Sequence, residues 1–478
     1  MIENIYDIIV MGAGSGGLSV GLTMNKFGFK VLMIAKSDKE IGGECLNDGC
    51  VPSKALIHVS RIAHQAKIAA DFGLEVNGKI DLKKVIGYVE GRQEIIRLHE
   101  NAAWLKNQGI DVALGEARFI NKNEIEVNDK KYIGKKIVIA TGSKPRKLNI
   151  AGVENVKYYD NENIFHTNEL PENLLVIGGG PISMEISQAL RRLGSNVTVV
   201  QHAGKILEHD DNAVTDLLLN QLQNEGINFL FNADIDSFNS ANEAIIKLKD
   251  GRSQKIYFDA VFVGIGREFL LNSLELNNAG IEVKSNKIVI DKYLRTTNKN
   301  VFVCGDIAGD LMFSHAAEFH ARILLNNFFS PIKKKLNNDH MSWVTFTDPE
   351  LATFGLNEKQ IKDRGINYEK LEQDFSGDDR AITDNYQYAK IILYISKGGL
   401  FKKEKILGGT MIAPNAGELI QELILANTSG LSINSIFNKI YPYPVAARIN
   451  QHLIVSHKQK SLTSVLKKLL HVAFKIFN

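Results

Sequence analysis

Two cysteines five residues apart offer the most chemistry in this sequence. Cys45 and Cys50 enclose Leu-Asn-Asp-Gly, and the 478-residue chain has one further cysteine, Cys304. On a regular helix, residues at i and i+5 lie too far apart for a disulfide, so a bridge needs a distorted turn, for which Gly49 and Pro52 are suitable. A strained bridge is easily reduced, as a redox-active pair requires. The alternative is two unrelated buried thiols.

A glycine-rich segment near the N-terminus has the spacing of a phosphate-binding turn. Its glycines at G-x-G-x-x-G spacing are Gly12, Gly14 and Gly17. The preceding apolar run predicts a strand and the following stretch a helix, so the turn belongs to a βαβ unit. The glycines permit a tight turn and close approach of a pyrophosphate, which the helix N-terminus binds. The alternative is a glycine-rich turn without a ligand.

The same pattern occurs again about 165 residues later in the chain. Gly178, Gly180 and Ser183 take the three positions, between an apolar run at residues 174–177 and a helix-like stretch that ends near residue 193. A repeated βαβ unit predicts two nucleotide-binding domains.

Neither unit has the acid that usually binds a ribose hydroxyl at the end of its second strand. The position holds Ala35 in the first unit, where Asp38 or Glu40 could substitute, and Gln201 in the second. His202 and Lys205 follow Gln201, and they could reach a 2′-phosphate or lie at the surface. The choice between NADH and NADPH stays open.

Length and composition limit the class of protein. At about 150 residues per domain, the length predicts roughly three domains. The net charge of +3 gives no reason to expect a nucleic-acid partner. Three cysteines exclude a secreted disulfide scaffold, and no apolar run reaches the length of a membrane span. Glu3 and Asp7 replace the basic region of a signal peptide, so we expect a cytoplasmic protein.

The segment GGECLNDGCVPSK at residues 42–54 resembles the redox-disulfide signature of the class I pyridine nucleotide–disulfide oxidoreductases. That family includes dihydrolipoamide dehydrogenase, glutathione reductase and mercuric reductase. The similarity runs from about residue 4 to about residue 455. Its further motifs are ATGS at 140–143, Glu185 after the second glycine cluster, GIGR at 264–267, LRT at 294–296, VFVCGD at 301–306 and FTDPE at 346–350.

The resemblance implies an α/β fold of two Rossmann-like nucleotide-binding domains and a C-terminal α+β dimerisation domain. The FAD-binding domain would span residues 1–150, completed by 270–335, and the NAD(P)-binding domain residues 151–269. Residues 336–455 would form the dimerisation domain of a homodimer. Residues 456–478 lie beyond the resemblance.

The resemblance also implies roles for particular residues. Cys50 would be the charge-transfer thiol beside the flavin, and Cys45 the interchange thiol facing the substrate. Lys54 and Glu185 would form an ion pair near the flavin, and Asp306 would contact its ribityl chain. The residues implied to bind FAD are Gly12, Gly14, Ser15, Gly17, Gly43, Lys54, Ala117, Thr141, Gly142, Asp306 and Ala316. Those implied to bind NADH or NADPH are Gly178, Gly180, Ser183, Glu185, Gln201, His202 and Gly266.

Near residue 443 the sequence departs from the disulfide-reducing members. Those carry His-Pro and a Glu five residues after the His. The imidazole takes up and returns the proton of the interchange thiol, and the carboxylate orients the imidazole. Here Tyr443 and Arg448 take these places, and a tyrosine with a pKa of about 10 is a poor base at neutral pH. Tyr443 is nevertheless the catalytic candidate at this position. His452 and His457 are expected at the surface. Mercuric reductases also lack this His, but they add a C-terminal cysteine pair, whereas no cysteine follows Cys304 here.

The sequence therefore predicts an FAD-dependent NAD(P)H oxidoreductase of the mercuric-reductase-like branch. Electrons would pass from NAD(P)H through FAD and the Cys45–Cys50 pair to a metal ion, an electrophile or a small disulfide, with no resident metal. The alternatives are a dihydrolipoyl dehydrogenase, a reductase that delivers electrons to quinone or oxygen directly from the flavin, and a non-catalytic flavoprotein.

The last residues form a basic amphipathic tail. Residues 456–478 contain five lysines and no acid, and a helix over 460–477 would separate an apolar side from a basic one. The apolar side is Leu462, Val465, Leu466, Leu469, Leu470, Ala473, Ile476 and Phe477. Such a helix packs on its own protein or lies in a membrane interface. The second alternative predicts peripheral membrane contact.

Overall fold

Apolar, β-branched runs form the central strands of the N-terminal sheet, in a computed structural model that describes residues 4–399 and 403–477. The elements of this part are β1 (Ile5–Met11), α1 (Ser15–Lys26), β2 (Val31–Ala35), α2 (Gly43–Asn47), α3 (Cys50–Ile68), α4 (Leu82–Arg97), α5 (Ala102–Asn107), β3 (Asp111–Leu114), β4 (Ala117–Phe119), β5 (Glu124–Val127), β6 (Lys130–Ile139) and β7 (Lys144–Pro145). β1 lies between β2 and β6, all three parallel, with Met11 opposite Ile34 and Ile139. Both faces of β1 and β2 are covered, which explains their continuous apolar sequences.

A second parallel sheet carries the second glycine cluster, which directly follows its strand β9. Its part of the chain contains β8 (Tyr158–Tyr159), β9 (Asn173–Ile177), α6 (Pro181–Leu193), β10 (Asn196–Gln201), α7 (Asn212–Asn224), β11 (Asn228–Phe231), β12 (Ala233–Ser240), β13 (Glu243–Leu248), β14 (Ser253–Tyr257), β15 (Ala260–Val263) and β16 (Arg267–Glu268). The sheet order is β11-β10-β9-β15-β8, and β12-β13-β14 form a separate antiparallel sheet. The sequence pattern predicted β9, α6 and β10.

The chain then returns to the first sheet. The elements are β17 (Val283–Lys284), β18 (Lys287–Ile288), β19 (Val301–Val303) and α8 (Ser314–Phe329). β19 pairs in parallel with β6, with Val301 opposite Ile137. The fold is thus the predicted α/β arrangement of two nucleotide-binding sheets.

The C-terminal part is built on an antiparallel sheet of order β20-β21-β24-β23-β22. Its elements are β20 (Ser342–Thr345), β21 (Glu350–Gly355), α9 (Glu358–Asp363), β22 (Tyr368–Asp374), α10 (Asp379–Thr383), β23 (Lys390–Ser396), β24 (Ile406–Ala413), α11 (Ala416–Leu419), α12 (Gln421–Thr428), α13 (Asn434–Phe437), α14 (Ile449–Lys460) and α15 (Ser464–Phe477). Buried side chains of the sheet and of α12 and α14 form one apolar core.

The chain divides into two compact units. The first contains the residues up to Gly204 and Glu225–Asn337, and the second contains Lys205–Asn224 and the residues from Asn338 onward. Both parallel sheets belong to the first unit, whereas α7 belongs to the second. The three-domain boundaries stay a prediction.

The tail differs from the single helix expected over residues 460–477. α14 ends at Lys460 and α15 begins at Ser464, so Leu462 lies between two helices. The break arises because the Thr463 hydroxyl accepts the backbone N–H of Leu466 at 3.2 Å and starts a new helix. α15 has no buried residue in the described chain, so the packing of this helix on its own protein stays a prediction. No helix among the described residues is long and apolar enough to span a membrane.

Candidate redox site

The two cysteines lie on either side of a helix break. α2, which carries Cys45, ends at Asn47, and α3 begins at Cys50. Gly49 has φ −129° and ψ −114°, and a Cβ on it would lie 2.9 Å from the carbonyl oxygen of Glu44. This tight turn brings the Cys45 thiol within hydrogen-bonding distance of Cys50, which a continuous helix would not allow.

Side chains of α4 hold this turn in place. The Gln93 side-chain amide donates to the carbonyl oxygens of Leu46, at 2.9 Å, and Asn47, at 2.7 Å. Arg97 donates to the Asn47 side chain at 2.8 Å. Gln93 is buried, so these bonds replace water on the turn's carbonyls. Sequence analysis missed both residues, because no local pattern links α4 to the cysteines.

The surroundings of the two thiols favour a thiolate on Cys50. The hydrogen bond from Cys45 lowers the pKa of Cys50, and Ser314 and Lys54 act in the same direction. The Ser314 hydroxyl lies 3.5 Å from the Cys50 sulfur. The same hydrogen bond, together with burial, raises the pKa of Cys45. Both cysteines are free thiols in the structure. The pair therefore favours the proton on Cys45 and the negative charge on Cys50.

An ion pair lies next to the thiols, at the packing of α3 against α6. The Lys54 ammonium donates to the Glu185 carboxylate at 2.8 Å. Glu185 is only 3% exposed, so the pair offsets the cost of burying its charge. Lys54 also lowers the pKa of Cys50, whereas Glu185 raises it.

The first glycine cluster packs directly on the start of α2. Gly43 has φ +62°, and a Cβ on it would lie 2.6 Å from the Cα of Gly14. Gly14 precedes α1, whose N-terminus has no side-chain cap. Ser15 at that N-terminus reaches Cys45. A helix end suited to a phosphate thus lies against the cysteine-bearing turn.

The ends of β6 and β19 and the start of β16 share a polar network. The Ser143 hydroxyl donates to Asp306 at 2.5 Å, and Arg267 donates to the same hydroxyl at 2.6 Å. Arg267 also forms an ion pair with Glu44. Burial raises the pKa of Glu44, against the effect of Arg267. The network joins Asp306 to α2, a connection that sequence analysis did not predict.

The remaining residues of the implied FAD set lie in the same unit. Thr141 and Gly142 follow β6, Ala117 begins β4, and Ala316 is buried in the first turn of α8. Of the two possible substitutes for Ala35, Glu40 is exposed, and Asp38 accepts the backbone N–H of Ala102 at 2.7 Å. One of its oxygens is therefore already engaged.

The second glycine cluster precedes another helix without a side-chain cap. α6 begins after Gly180, and Ser183 is buried on it. The Gln201 side chain accepts the N–H of Gly179 at 2.8 Å, so it supports the turn itself. His202 lies 2.9 Å from Asp234. Gly178 follows β9, and Gly266 lies between β15 and β16. These contacts leave the choice between NADH and NADPH open.

Lys205, the other candidate for a 2′-phosphate, belongs to the second unit. Its ammonium donates to the carbonyl oxygen of Asp210 at 2.9 Å and to Asn212 at 2.7 Å. The Lys205 ammonium is thus already hydrogen-bonded to oxygens at the start of α7.

Tyr443 also belongs to the second unit, where it is 67% exposed. Its hydroxyl donates to Asp379 at 3.0 Å, and the Arg448 guanidinium lies 5.6 Å from the ring centroid. The hydrogen bond to Asp379 raises the pKa of Tyr443. At neutral pH this tyrosine is therefore ionised even less often than a free tyrosine, and it is less available to accept a proton.

The expected surface position of His457 is wrong. His457 is 7% exposed, and its two ring nitrogens lie 3.2 Å from Glu369 and 3.0 Å from Glu404. The imidazole joins β22 to the segment before β24, and the two carboxylates compensate its burial. His452 is partly exposed and lies 4.0 Å from Asp378.

Comparison with known proteins agrees with this geometry. Residues 6–321 match the family model of the pyridine nucleotide-disulphide oxidoreductases, and residues 341–453 match the dimerisation domain of the same family. The chain belongs to this family. It is therefore a class I pyridine nucleotide–disulfide oxidoreductase, as the sequence motifs predicted.

This oxidoreductase is similar in sequence to mercuric reductases and dihydrolipoyl dehydrogenases, and in structure to a flavoprotein disulfide reductase. It is 30% identical to a mercuric reductase of Bacillus cereus over 92% of this chain and 69% of the other. It is 31% identical to a dihydrolipoyl dehydrogenase of Mycoplasma pneumoniae over 92% of this chain and 95% of the other. A Cu(II) complex of the HOCl-induced flavoprotein disulfide reductase RclA from Escherichia coli superposes with a TM-score of 0.82, at 25% identity, over 94% of this chain and 99% of the other.

The oxidoreductase family uses FAD and NAD(P)H. The residues present fit both groups, because each sheet carries an uncapped helix N-terminus directly after a glycine turn. A Cβ on Gly142, Gly180 or Gly266 would meet nothing within 4 Å, so each of these positions has open space beside the backbone.

Proposed function

We propose that this oxidoreductase passes electrons from NAD(P)H through a redox-active Cys45–Cys50 pair to a metal ion or another electrophile. The observation that carries the proposal is the tight turn at Gly49, which separates Cys45 on α2 from Cys50 at the start of α3, with the Lys54–Glu185 ion pair nearby. FAD, when bound, accepts hydride from the nicotinamide and exchanges electrons with sulfur. Oxidation of the Cys45 thiol and the Cys50 thiolate to a disulfide releases two electrons to an acceptor that meets Cys45, and the single thiol proton leaves to solvent.

The surroundings of Tyr443 support a metal ion over a disulfide substrate. Reduction of a disulfide substrate requires a proton to be delivered to the leaving sulfur, and general acid–base help contributes about 10²–10⁴-fold. Tyr443 donates to Asp379, and its raised pKa makes it unsuited to this exchange near neutral pH. A metal ion takes up electrons without a proton. The names of the Bacillus cereus relative and the RclA complex favour Hg(II) and Cu(II) as first acceptors to test.

The second candidate is a dihydrolipoyl dehydrogenase. It is favoured by the 31% identity with the Mycoplasma pneumoniae enzyme, which extends over almost the full length of both chains. Rapid lipoamide turnover would support it and contradict the metal-ion proposal.

We further propose a homodimer, because residues 341–453 match the family's dimerisation domain. In that assembly Tyr443 would approach Cys45 of the partner subunit. Light scattering of the holoenzyme tests this assembly, and a fully active monomer would contradict it.

The functional test is a turnover screen with NADH and NADPH against Hg(II), Cu(II), lipoamide, oxidised glutathione and a quinone. We expect the metal ions to be reduced fastest, and Cys45→Ser to abolish that turnover. Cys304→Ala is the matched control, since Cys304 is buried and should leave turnover unchanged.

The screen also separates the remaining alternatives. Quinone turnover that survives Cys45→Ser would point to electron transfer directly from the flavin. Bound FAD that neither nicotinamide reduces would indicate a non-catalytic flavoprotein.

A further inference from the structure

The helix α15 has a largely exposed apolar side. None of its residues is buried, although most of them are apolar. Val465, Leu469 and Ile476 share one side and are 65%, 59% and 70% exposed. Contiguous apolar surface of this kind marks a contact surface on a soluble domain.

The opposite side of α15 is basic. It carries Lys467, Lys468 and Lys475, all exposed, together with Ser464 and His471. Residues 456–478 contain neither Asp nor Glu. The surface that covers α15 must therefore offer both apolar volume and negative charge.

We propose that α15 is an interfacial anchor that binds an anionic lipid surface. Its 14 residues make a helix about 21 Å long, which is too short to cross a hydrocarbon core of about 30 Å. Lying in the plane of the interface, it places its apolar side chains at the acyl boundary and its lysines among the phosphates. Each lysine near such a surface strengthens binding about fivefold.

A second copy of α15 satisfies these requirements less well. Two such helices joined by their apolar sides would bring lysines together, with no carboxylate in either tail to pair with them. Anionic headgroups neutralise each lysine instead. The charge of the tail therefore favours lipid over self-association.

The break before α15 makes the proposal testable without harm to the fold. α14 is tied to the core by the buried residues Leu453, Ile454 and His457, whereas α15 begins after residues 461–463. Truncation after Ser461, or substitution on α15, leaves those core contacts intact.

The experiment is co-sedimentation of the holoenzyme with vesicles of phosphatidylcholine alone or mixed equally with phosphatidylglycerol. We expect binding to the mixed vesicles only, weakened by salt and lost on truncation after Ser461. Lys467→Gln/Lys468→Gln/Lys475→Gln should weaken it about 100-fold. Val465→Ser/Leu469→Ser/Ile476→Ser should weaken it at least as much, because the apolar contact is lost.

The matched control is Lys83→Gln/Lys106→Gln/Lys249→Gln, which removes the same charge from exposed positions elsewhere. It should bind like the unchanged protein. Equal binding by the truncated and full chains, or none by either, overturns the proposal. So does a smaller oligomer of the apolar variant without lipid, which would identify a second copy as the occupant. Turnover in solution should be the same for all these proteins, so the result does not depend on the proposed function.

Discussion

Lys54 and Glu185 form a 2.8 Å ion pair that joins helices α3 and α6 beside the thiol pair. Lys54 and Cys50 lie on the same helix, four residues apart, while Glu185 follows the second glycine cluster. The two charges act on Cys50 in opposite directions, since Lys54 lowers its pKa and Glu185 raises it. The ion pair therefore adjusts the pKa of Cys50, while the Lys54 ammonium offsets the cost of burying the Glu185 carboxylate.

The opposite effects of Lys54 and Glu185 on the pKa of Cys50 can be tested by substitution. We expect the Cys50 thiolate of the reduced holoenzyme to titrate below the ordinary range of a thiol, and its long-wavelength absorbance beside the flavin follows this midpoint. Lys54→Met should raise this midpoint and Glu185→Gln should lower it, each by about one unit. Lys67→Met is the control, because Lys67 lies on the same helix but donates to the carbonyl oxygen of Arg192. Shifts of the same sign in both variants would contradict this electrostatic account.

Asp48, between the two cysteines, gives a prediction for stability. Burial, followed by the nearby Glu162, raises the pKa of Asp48 to about 7. The folded state thus disfavours the carboxylate, so the contribution of Asp48 to the free energy of unfolding is greatest below its ordinary pKa and is lost as the pH rises through 7. Asp48→Asn should match the unchanged protein near pH 4. At pH 8 the free energy of unfolding of Asp48→Asn should be greater than that of the unchanged protein by roughly 2 kcal/mol, after allowance for solvent screening.

Chemical denaturation at the two pH values measures the effect of Asp48→Asn. Glu90→Gln, which removes an exposed carboxylate from α4, serves as the control and should show no such difference. An Asp48→Asn variant that is less stable than the unchanged protein at pH 8 would mean that the Asp48 carboxylate is favourably bound.

The position of Tyr443 can be tested by restoring the missing proton carrier. Tyr443→His with Arg448→Glu rebuilds the pair that disulfide-reducing members carry. We expect lipoamide turnover to rise about 100-fold, because a proton carrier is restored, while metal-ion turnover stays the same. Tyr443→Phe, which cannot carry a proton, should leave lipoamide turnover as low as before. Steady-state rates with lipoamide and with a metal ion measure these effects. High lipoamide turnover by the unchanged protein would contradict the inference that Tyr443 cannot act as the proton carrier.

The sequence predicted those parts of the fold and site that depend on local patterns. The two glycine turns and their flanking strands follow from short-range spacing, and the break at Gly49 follows from a residue that tolerates unusual backbone angles. The hydrogen bonds from Gln93 to the cysteine-bearing turn could not be predicted, because they join segments more than 40 residues apart in the chain. The network of Arg267, Glu44 and Asp306 likewise depends on tertiary packing.

The errors near the C-terminus have the same origin. A helical wheel of residues 460–477 gave a continuous amphipathic pattern, but a single hydroxyl at Thr463 starts a new helix within it. His457 was expected at the surface because it lies beyond the motif at residues 441–448. Its burial depends on Glu369 and Glu404, which come from distant positions in the chain.

The buried His457 provides the last prediction. Its ring nitrogens face two carboxylates, so His457→Leu would leave Glu369 and Glu404 without the donor they share. We expect the free energy of unfolding to fall by about 1 kcal/mol, because the partly buried Glu404 loses its partner, whereas water replaces the imidazole at the exposed Glu369. His457→Gln keeps one donor and should lose about half as much. Gln459→Leu, an exposed change two residues away, should have little effect in the same urea titration. If His457→Leu were as stable as the unchanged protein, the imidazole would fill space in the C-terminal unit without holding its sheet to α14.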